Sequence, residues 1–281
     1  MFKILKREML TPNICKMVVS APRIAQAALP GQFLIVLASE EGERIPLTIS
    51  DYDREQGTVT IVTQLIGASS AAIIAKEEGE FFRDVVGPLG NPSAFVKSDA
   101  ETLKGQRYIF IAGGLGTAPV YPQAKWLHDR GIAVDVIIGA RTKDLLIYTE
   151  ELGSACDNLY LCTDDGSAGF HGVGTACLED LVGNQGKEYT QAVAIGPMIM
   201  MKFATLTCKK LNIPIDVSLN MLMVDGTGMC GACRVTVAGK TRFACVDGPE
   251  FNGYDVDFDE AMRRLAQYKT EEAEVKAKFV K

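Results

Sequence analysis

Cys230 and Cys233 are separated by two residues inside a glycine-rich run, Asp225-Gly226-Thr227-Gly228-Met229-Cys230-Gly231-Ala232-Cys233, and Cys245 follows after eleven intervening residues. Between them, Arg234-Val235-Thr236-Val237-Ala238 alternates apolar and polar side chains. That alternation reads as a strand that turns at Gly239-Lys240 and carries the third thiol back to the loop. The glycines let the backbone wrap closely and aim N–H groups at sulfur. Thiols so spaced suit a small iron–sulfur cluster of the [2Fe-2S] type. Such a cluster takes four protein ligands, and Asp225, five residues before Cys230, stands where a plant-type pattern has its first cysteine. A carboxylate is a harder, less electron-donating ligand than a thiolate, so it alters the cluster's potential. Two other readings stand beside this one. A structural zinc accepts three thiolates and a carboxylate, although its sites usually bring a second Cys-x2-Cys pair or a His. Unliganded thiols are the third, because free cysteines are often buried.

The elements that must position this loop fall into four parts, expected at 1–100, 101–215, 216–250 and 251–281. The first reads as a small antiparallel β-barrel. Apolar runs at Cys15–Val19, Gln32–Leu37 and Thr58–Thr63 are punctuated by Pro30-Gly31, Gly57 and Gly87-Pro88, with a short helical stretch at Ser69–Ala75. Near Lys104-Gly105 the pattern changes. Strands at Arg107–Ala112, Val134–Gly139, Leu159–Thr163 and Ala192–Gly196 alternate with helices, one through Trp126 and Leu127 and another over Met198–Leu211. That alternation predicts a doubly wound parallel α/β sheet. The cluster module comes third. Last comes a charged helix over Asp259–Lys281, a solvated tail on which Leu265, Tyr268, Val275 and Phe279 leave a weak partner-binding face.

The 281 residues suffice for two domains and an appendage. A net charge of −6 gives no electrostatic footprint for nucleic acid. No run of roughly 18 apolar residues predicts a membrane span, and the charged N-terminus does not read as a signal peptide. Of eight cysteines, Cys15, Cys156, Cys162, Cys177 and Cys208 are scattered without a framework. They read as buried free thiols in a reducing compartment, which predicts a cytoplasmic protein.

Gly113-Gly114-Leu115-Gly116-Thr117 follows the Arg107–Ala112 strand and opens a helix, an arrangement that presents N–H groups to a phosphate. The alternative is a tight turn whose glycines serve packing. Asp135, about 20 residues on, is at the distance of a ribose-binding acid. Gly139-Ala140-Arg141, Thr163-Asp164-Asp165-Gly166-Ser167 and Gly196-Pro197-Met198 also follow strand C-termini, the edge where such sheets bind ligands. Arg141 reads equally as a phosphate or ribose contact and as a surface ion pair. His128 and His171 read as structural. In the barrel, Arg44-Ile45-Pro46-Leu47-Thr48 could clamp a pyrophosphate through the guanidinium while the Thr48 hydroxyl bonds a flavin ring nitrogen. Gly67-Ala68-Ser69-Ser70 would add a helix N-terminus.

In this order, Arg44-Ile45-Pro46-Leu47-Thr48, Gly67-Ala68-Ser69-Ser70 and Gly87-Pro88-Leu89-Gly90 resemble the ferredoxin–NADP reductase superfamily, although the first has one residue more than the strict motif. With the cluster loop and Cys245-Val246-Asp247-Gly248-Pro249, the chain resembles the electron-transfer subunit of dihydroorotate dehydrogenase. Its relatives are the small subunits of the electron-bifurcating NADH-dependent ferredoxin:NADP oxidoreductase and of sulfide dehydrogenase. Asp225, where the dihydroorotate branch has cysteine, favours the bifurcating branch. The resemblance implies FAD held by Arg44, Pro46, Leu47, Thr48, Val62, Thr63, Gly67, Ser69 and Ser70, with Thr48 the catalytic contact to the flavin. It implies NAD(H) over Gly113, Gly114, Gly116 and Thr117, near Asp165, Gly166 and Met198. Asp225, Cys230, Cys233 and Cys245 are then the cluster ligands. The implied activity is oxidation or reduction of NAD(H), with single electrons exchanged with a larger flavin/iron–sulfur subunit in a heterodimer and, through it, with ferredoxin. A stand-alone flavin reductase and a zinc-binding module without redox activity are the competing functions.

Overall fold

The computed structural model describes residues 2–271. Its first unit is a strongly curved antiparallel sheet of β1 (Phe2–Thr11), β2 (Ile14–Ser20), β3 (Phe33–Leu37), β4 (Arg44–Asp53), β5 (Thr58–Gln64), β6 (Phe81–Phe82) and β7 (Asp84–Leu89). The strand order is β6-β1-β2-β5-β4-β3-β7. Inward-facing Ile4, Met17, Leu34, Ile49, Ile61 and Phe82 are fully buried. Two short helices, α1 (Pro22–Ala27) and α2 (Ala68–Ile74), pack on the sheet, α1 against β4, β5 and β7 and α2 against β5, each burying one or two apolar residues. The predicted runs fall within β2, β3 and β5, and the predicted helical stretch within α2 and its C-cap. Strand β1 carries charge on several positions and buries fully only Ile4 and Thr11, so its apolar signal is weak.

A link containing α3 (Ala100–Leu103), capped by the Asp99 carboxylate, which accepts from Thr102 N at 2.7 Å, leads to the second sheet. Here β8 (Arg107–Gly113), β9 (Ala133–Ala140), β10 (Asn158–Thr163), β11 (Phe170–His171), β12 (Gln191–Ile195) and β13 (Ile215–Ser218) run parallel in the order β11-β10-β9-β8-β12-β13. On one face lie α4 (Thr117–His128) and α5 (Thr149–Gly153), packed on Phe110, Ala112, Val136 and Ile138. On the other lie α6 (Gly174–Gly183) and α7 (Met198–Leu211), packed on Ile109, Ile111 and Ile137. Both faces of β8 and β9 are buried, which is why those strands are continuous apolar runs.

Beyond β13 the chain forms the cysteine loop and the hairpin β14 (Arg234–Val237) and β15 (Lys240–Phe243). The turn is at Ala238 and Gly239, both with positive φ (49° and 71°). Then β16 (Glu250–Asn252) adds antiparallel to β13, so the chain re-enters the α/β sheet across the boundary expected at 250. Helix α8 (Phe258–Leu265) is capped by Asp257, which accepts from Glu260 N at 2.9 Å. It buries Phe258 and Ala261, packs on α7, and accepts Thr236 N on Glu260 Oε2 at 3.0 Å. This element is a clasp on the cluster module, where the sequence suggested a solvated tail. It ends at Leu265, a turn follows at 266–268, and helical residues resume at 269–271, where the described residues end. Val275 and Phe279 lie outside the described residues.

The turn between β8 and α4 is held tightly against the end of β12. A Cβ on Gly116 would strike the Ile195 carbonyl and come within 2.8 Å of Gly196 Cα. Overpacking against backbone costs about 1–3 kcal/mol, so Gly116→Ala loses roughly that stability in urea denaturation. Gly183→Ala, in α6 with open space around it, is neutral or slightly stabilising. Equal midpoints for the two variants would contradict this packing.

Candidate electron-transfer site

The cysteine loop gathers its donors through backbone geometry. Gly226, Gly228 and Gly231 have φ of +76°, +87° and +67°, conformations that L side chains rarely adopt. Thr227 N and Cys230 N consequently turn back onto the Asp225 carboxylate, at 2.7 and 2.8 Å. These bonds hold that carboxyl below the usual carboxylate range, so it is ionised and available as a ligand. The hairpin brings Cys245 beside Cys233, with Cys245 N donating to Cys233 Sγ at 3.4 Å. Both thiols are buried and Cys230 is exposed. Burial, then the hydrogen bond with Cys233, pushes the Cys245 thiol up to about 12. Two adjacent buried thiols ionise together only when a metal cation shares their charge. Among the described residues no three His, Cys, Asp or Glu side chains stand at the distances of one metal ion. The four donors are spread along the loop, and a two-iron cluster divides its four ligands between two metals. Hard and soft donors, buried sulfur and inward N–H groups together fit a [2Fe-2S] cluster.

The barrel residues named from the sequence fall on β4, β5 and the start of α2. Arg44 opens β4 and makes only a long ion pair, 3.8 Å, with Asp84. Thr48 lies opposite Phe33 on β3 and Pro46 opposite Ile35. Leu47 and Val62 are buried. Thr63 is buried and its Oγ1 has no partner. Gly67 caps α2 and faces open space, with nothing within 4 Å of a Cβ there. An open glycine at a helix start beside an orphaned hydroxyl and a loosely paired Arg fits a pyrophosphate-bearing flavin. The serines differ from expectation. Ser70 Oγ accepts from Ile66 N and Gly67 N (2.8 and 2.9 Å) and donates to Gly67 O, so it shapes the turn. Ser69 Oγ is bonded to the Glu43 carboxylate, which an anionic ligand would displace.

At the C-terminal edge of the parallel sheet the two readings of the glycine turn divide between glycines. Gly113 and Gly116 serve packing, since a Cβ would meet Met200 Sδ and the Ile195 carbonyl respectively. Gly114 has φ +54° and faces open space. Thr117, fully buried at the start of α4, leaves Oγ1 without a partner. The loop after β10 adds Asp165, whose Oδ1 accepts from Ser167 Oγ and N at 2.6 and 2.9 Å; those bonds hold its carboxyl low. Gly166, φ +74°, packs near the His171 ring. Asp165 N donates to Arg141 O at 3.2 Å and Lys143 N to Ser167 Oγ at 2.8 Å, so the loops after β9 and β10 form one rim. An open glycine, an orphaned hydroxyl and this rim fit a dinucleotide.

Two assignments move. Asp135 lies near the start of β9, at the opposite edge, where Asn158 Nδ2 and Tyr189 Oη donate to it (2.7 and 2.8 Å) and Lys187 pairs with it at 3.4 Å. It is a structural acid, away from any ribose. Met198 points into the core, and Met200 is the methionine that abuts Gly113 and Gly196. On a helix these two positions face different directions, which an apolar run of methionines conceals. Gln123, Glu250 and Arg264 carry no local signal in the sequence. Arg264 of α8 donates to Ala232 O, between two cysteines, at 3.3 Å.

Comparison with known proteins converges on one family. Residues 220–257 match the model of the iron-sulfur cluster binding domain of dihydroorotate dehydrogenase B. The chain is 60% identical, over 97% of its own length and 92% of the other's, to the "uncharacterized protein in adh 3′ region" of Clostridium beijerinckii. It is 44% identical to a dihydroorotate dehydrogenase B (NAD(+)) electron transfer subunit homolog of Thermotoga maritima, covering 99% of this chain and 95% of that one. A chain from the structure of the NADH-dependent reduced ferredoxin-NADP oxidoreductase, solved for insight into flavin-based electron bifurcation, superposes with a TM-score of 0.90. That likeness has 41% identity and covers 99% and 98% of the two chains. With relatives this similar along nearly its whole length, the chain belongs to the family of dihydroorotate dehydrogenase B electron-transfer subunits and their homologues.

Proposed function

We propose that this chain is the FAD- and [2Fe-2S]-bearing subunit that exchanges electrons between NAD(H) and a larger flavin/iron–sulfur subunit. The observation that carries the reading is the glycine-shaped loop that holds Asp225, Cys230 and Cys233, to which the hairpin returns Cys245. The near-complete likeness to the ferredoxin-NADP oxidoreductase chain supports the bifurcating branch, as does an aspartate where the dihydroorotate branch has cysteine. The Thermotoga relative's name keeps a dihydroorotate-type partner as the second reading. The large subunit that co-purifies with the chain decides between them.

When bound, the flavin exchanges hydride with NAD(H) and the cluster passes electrons singly. The protein's part is binding and orientation. Arg44 would neutralise the flavin pyrophosphate, and Gly67 would let it approach the start of α2. Thr48 would hydrogen-bond and orient the reacting edge of the ring. Gly114 would let the dinucleotide phosphates approach the start of α4, where the Thr117 hydroxyl is unpartnered, and the rim around Asp165 and Gly166 would hold its ribose side. Asp225, Cys230, Cys233 and Cys245 hold the cluster. Around exposed Cys230, Leu222, Val224, Met229 and Val246 are also exposed. An apolar face beside the cluster supports docking of the larger subunit there, and ferredoxin is reached through that subunit. Among the described residues no helix is long and apolar enough to cross a membrane.

Losing charge-assisted hydrogen bonds worth about 1.5–3 kcal/mol should weaken FAD roughly ten- to hundredfold in Arg44→Ala. Flavin retained after desalting reads this directly, and wild-type retention would remove Arg44 from the site. Asp225→Cys should keep a cluster whose visible and EPR spectra and potential are all shifted. Spectra identical to wild type would remove Asp225 as a ligand.

A further inference from the structure

The cluster module, the barrel and the nucleotide domain meet at one carboxyl group. Glu250 begins β16, five residues after Cys245. Its Oε1 accepts from Ser93 Oγ at 3.0 Å, in the segment leaving the barrel, and from Gln123 Nε2 at 2.7 Å, on α4. Gln123 is fully buried, and its own Oε1 has no partner. The stretch between Cys245 and Glu250 is tied to the same barrel segment. Asn91 N donates to Gly248 O at 2.7 Å and Asn91 Nδ2 to Val246 O at 3.0 Å. Gly31 backs the contact with φ +87°; a Cβ there would strike Ser93 Oγ and come 3.0 Å from Glu250 Oε1.

We propose that Glu250 is a positioning residue that, through Ser93 and Gln123, sets the cluster module against the barrel and α4 and thereby fixes the separation of flavin and cluster. The proposal rests on the electron-transfer reading above. Among the three-part contacts described, this one joins a residue next to a cluster ligand, a residue of the barrel exit and a residue of the helix that begins at the nucleotide turn. Its chemistry explains the orphaned amide oxygen. An ionised carboxylate has no proton to offer Gln123 Oε1, whereas a protonated one pairs with the amide as both donor and acceptor. Burial raises the Glu250 pKa to about 7, with a further push from the Asp216 charge on β13 and against the hydrogen bonds from Ser93 and Gln123. Asp216 is the charged group facing it; burial raises its carboxyl too, and Gln191 Nε2 donates to it at 3.0 Å. The folded protein therefore holds a proton that the unfolded chain releases at lower pH. Stability conferred by that proton is full in acid and falls as pH rises through the window ending near 7.

The test compares Glu250→Gln and Glu250→Ala with wild type in the purified holoprotein with its partner subunit. Glu250→Gln keeps an acceptor for Ser93 and Gln123 and adds a donor that does not titrate. Its thermal midpoint should gain on wild type as pH rises from the ordinary carboxyl range to about 7, with no further gain above. After mixing with NADH, Glu250→Ala should bleach its flavin at the wild-type rate while the cluster's EPR signal grows several-fold more slowly. Glu250→Gln should restore that rate. A midpoint difference independent of pH overturns the proposal, and so does cluster reduction at the wild-type rate in Glu250→Ala. Should Glu250→Ala fail to fold, the pH profile of Glu250→Gln still decides. Flavin and cluster signals that are both missing from wild type would overturn the functional reading and this proposal with it. Both signals present with either contrary result overturns this proposal alone.

Discussion

Crowding a carboxylate and two buried thiols onto one loop is unfavourable unless a cation shares their charge, and much of this structure serves that loop. The left-handed glycines turn N–H groups onto Asp225. The β14–β15 hairpin returns Cys245 to Cys233, and its own turn needs positive φ at two residues. Helix α8 then braces the hairpin through Glu260 and the loop through Arg264.

The second constraint is the parallel sheet. With helices on both faces, β8 and β9 have no surface to offer a ligand, and recognition moves to the loops at their C-terminal edge. Tight packing and phosphate recognition compete for the same turn. The structure resolves this by giving Gly113 and Gly116 to packing, leaving Gly114 against open space and the buried Thr117 hydroxyl without a partner. A chain that carries a flavin barrel, this edge and the cysteine loop in order can pass electrons between a two-electron carrier and a one-electron carrier without an acid–base residue, because the cofactors carry the chemistry.

Local pattern made the frame legible. Alternation at Arg234–Ala238 gave the hairpin, continuous apolar runs gave the core strands, and the Met198–Leu211 helix has the expected ends. What stayed hidden depends on partners distant in sequence or on small shifts in place. β1 is a half-solvated strand whose charges mask its period. Asp135 has the right spacing for a ribose acid but sits near the wrong end of its strand, because β9 begins only at Ala133. Met198 and Met200 are two residues apart yet face core and turn. Gln123 and Glu250 meet across 127 residues, and no local motif announces such a pair.

The most direct test of the account is an ultraviolet–visible spectrum, with iron, sulfide, zinc and flavin determined on the same anaerobically purified protein. The account predicts flavin bands together with about two irons and two sulfides per chain. Zinc in place of iron, with no flavin, would contradict it.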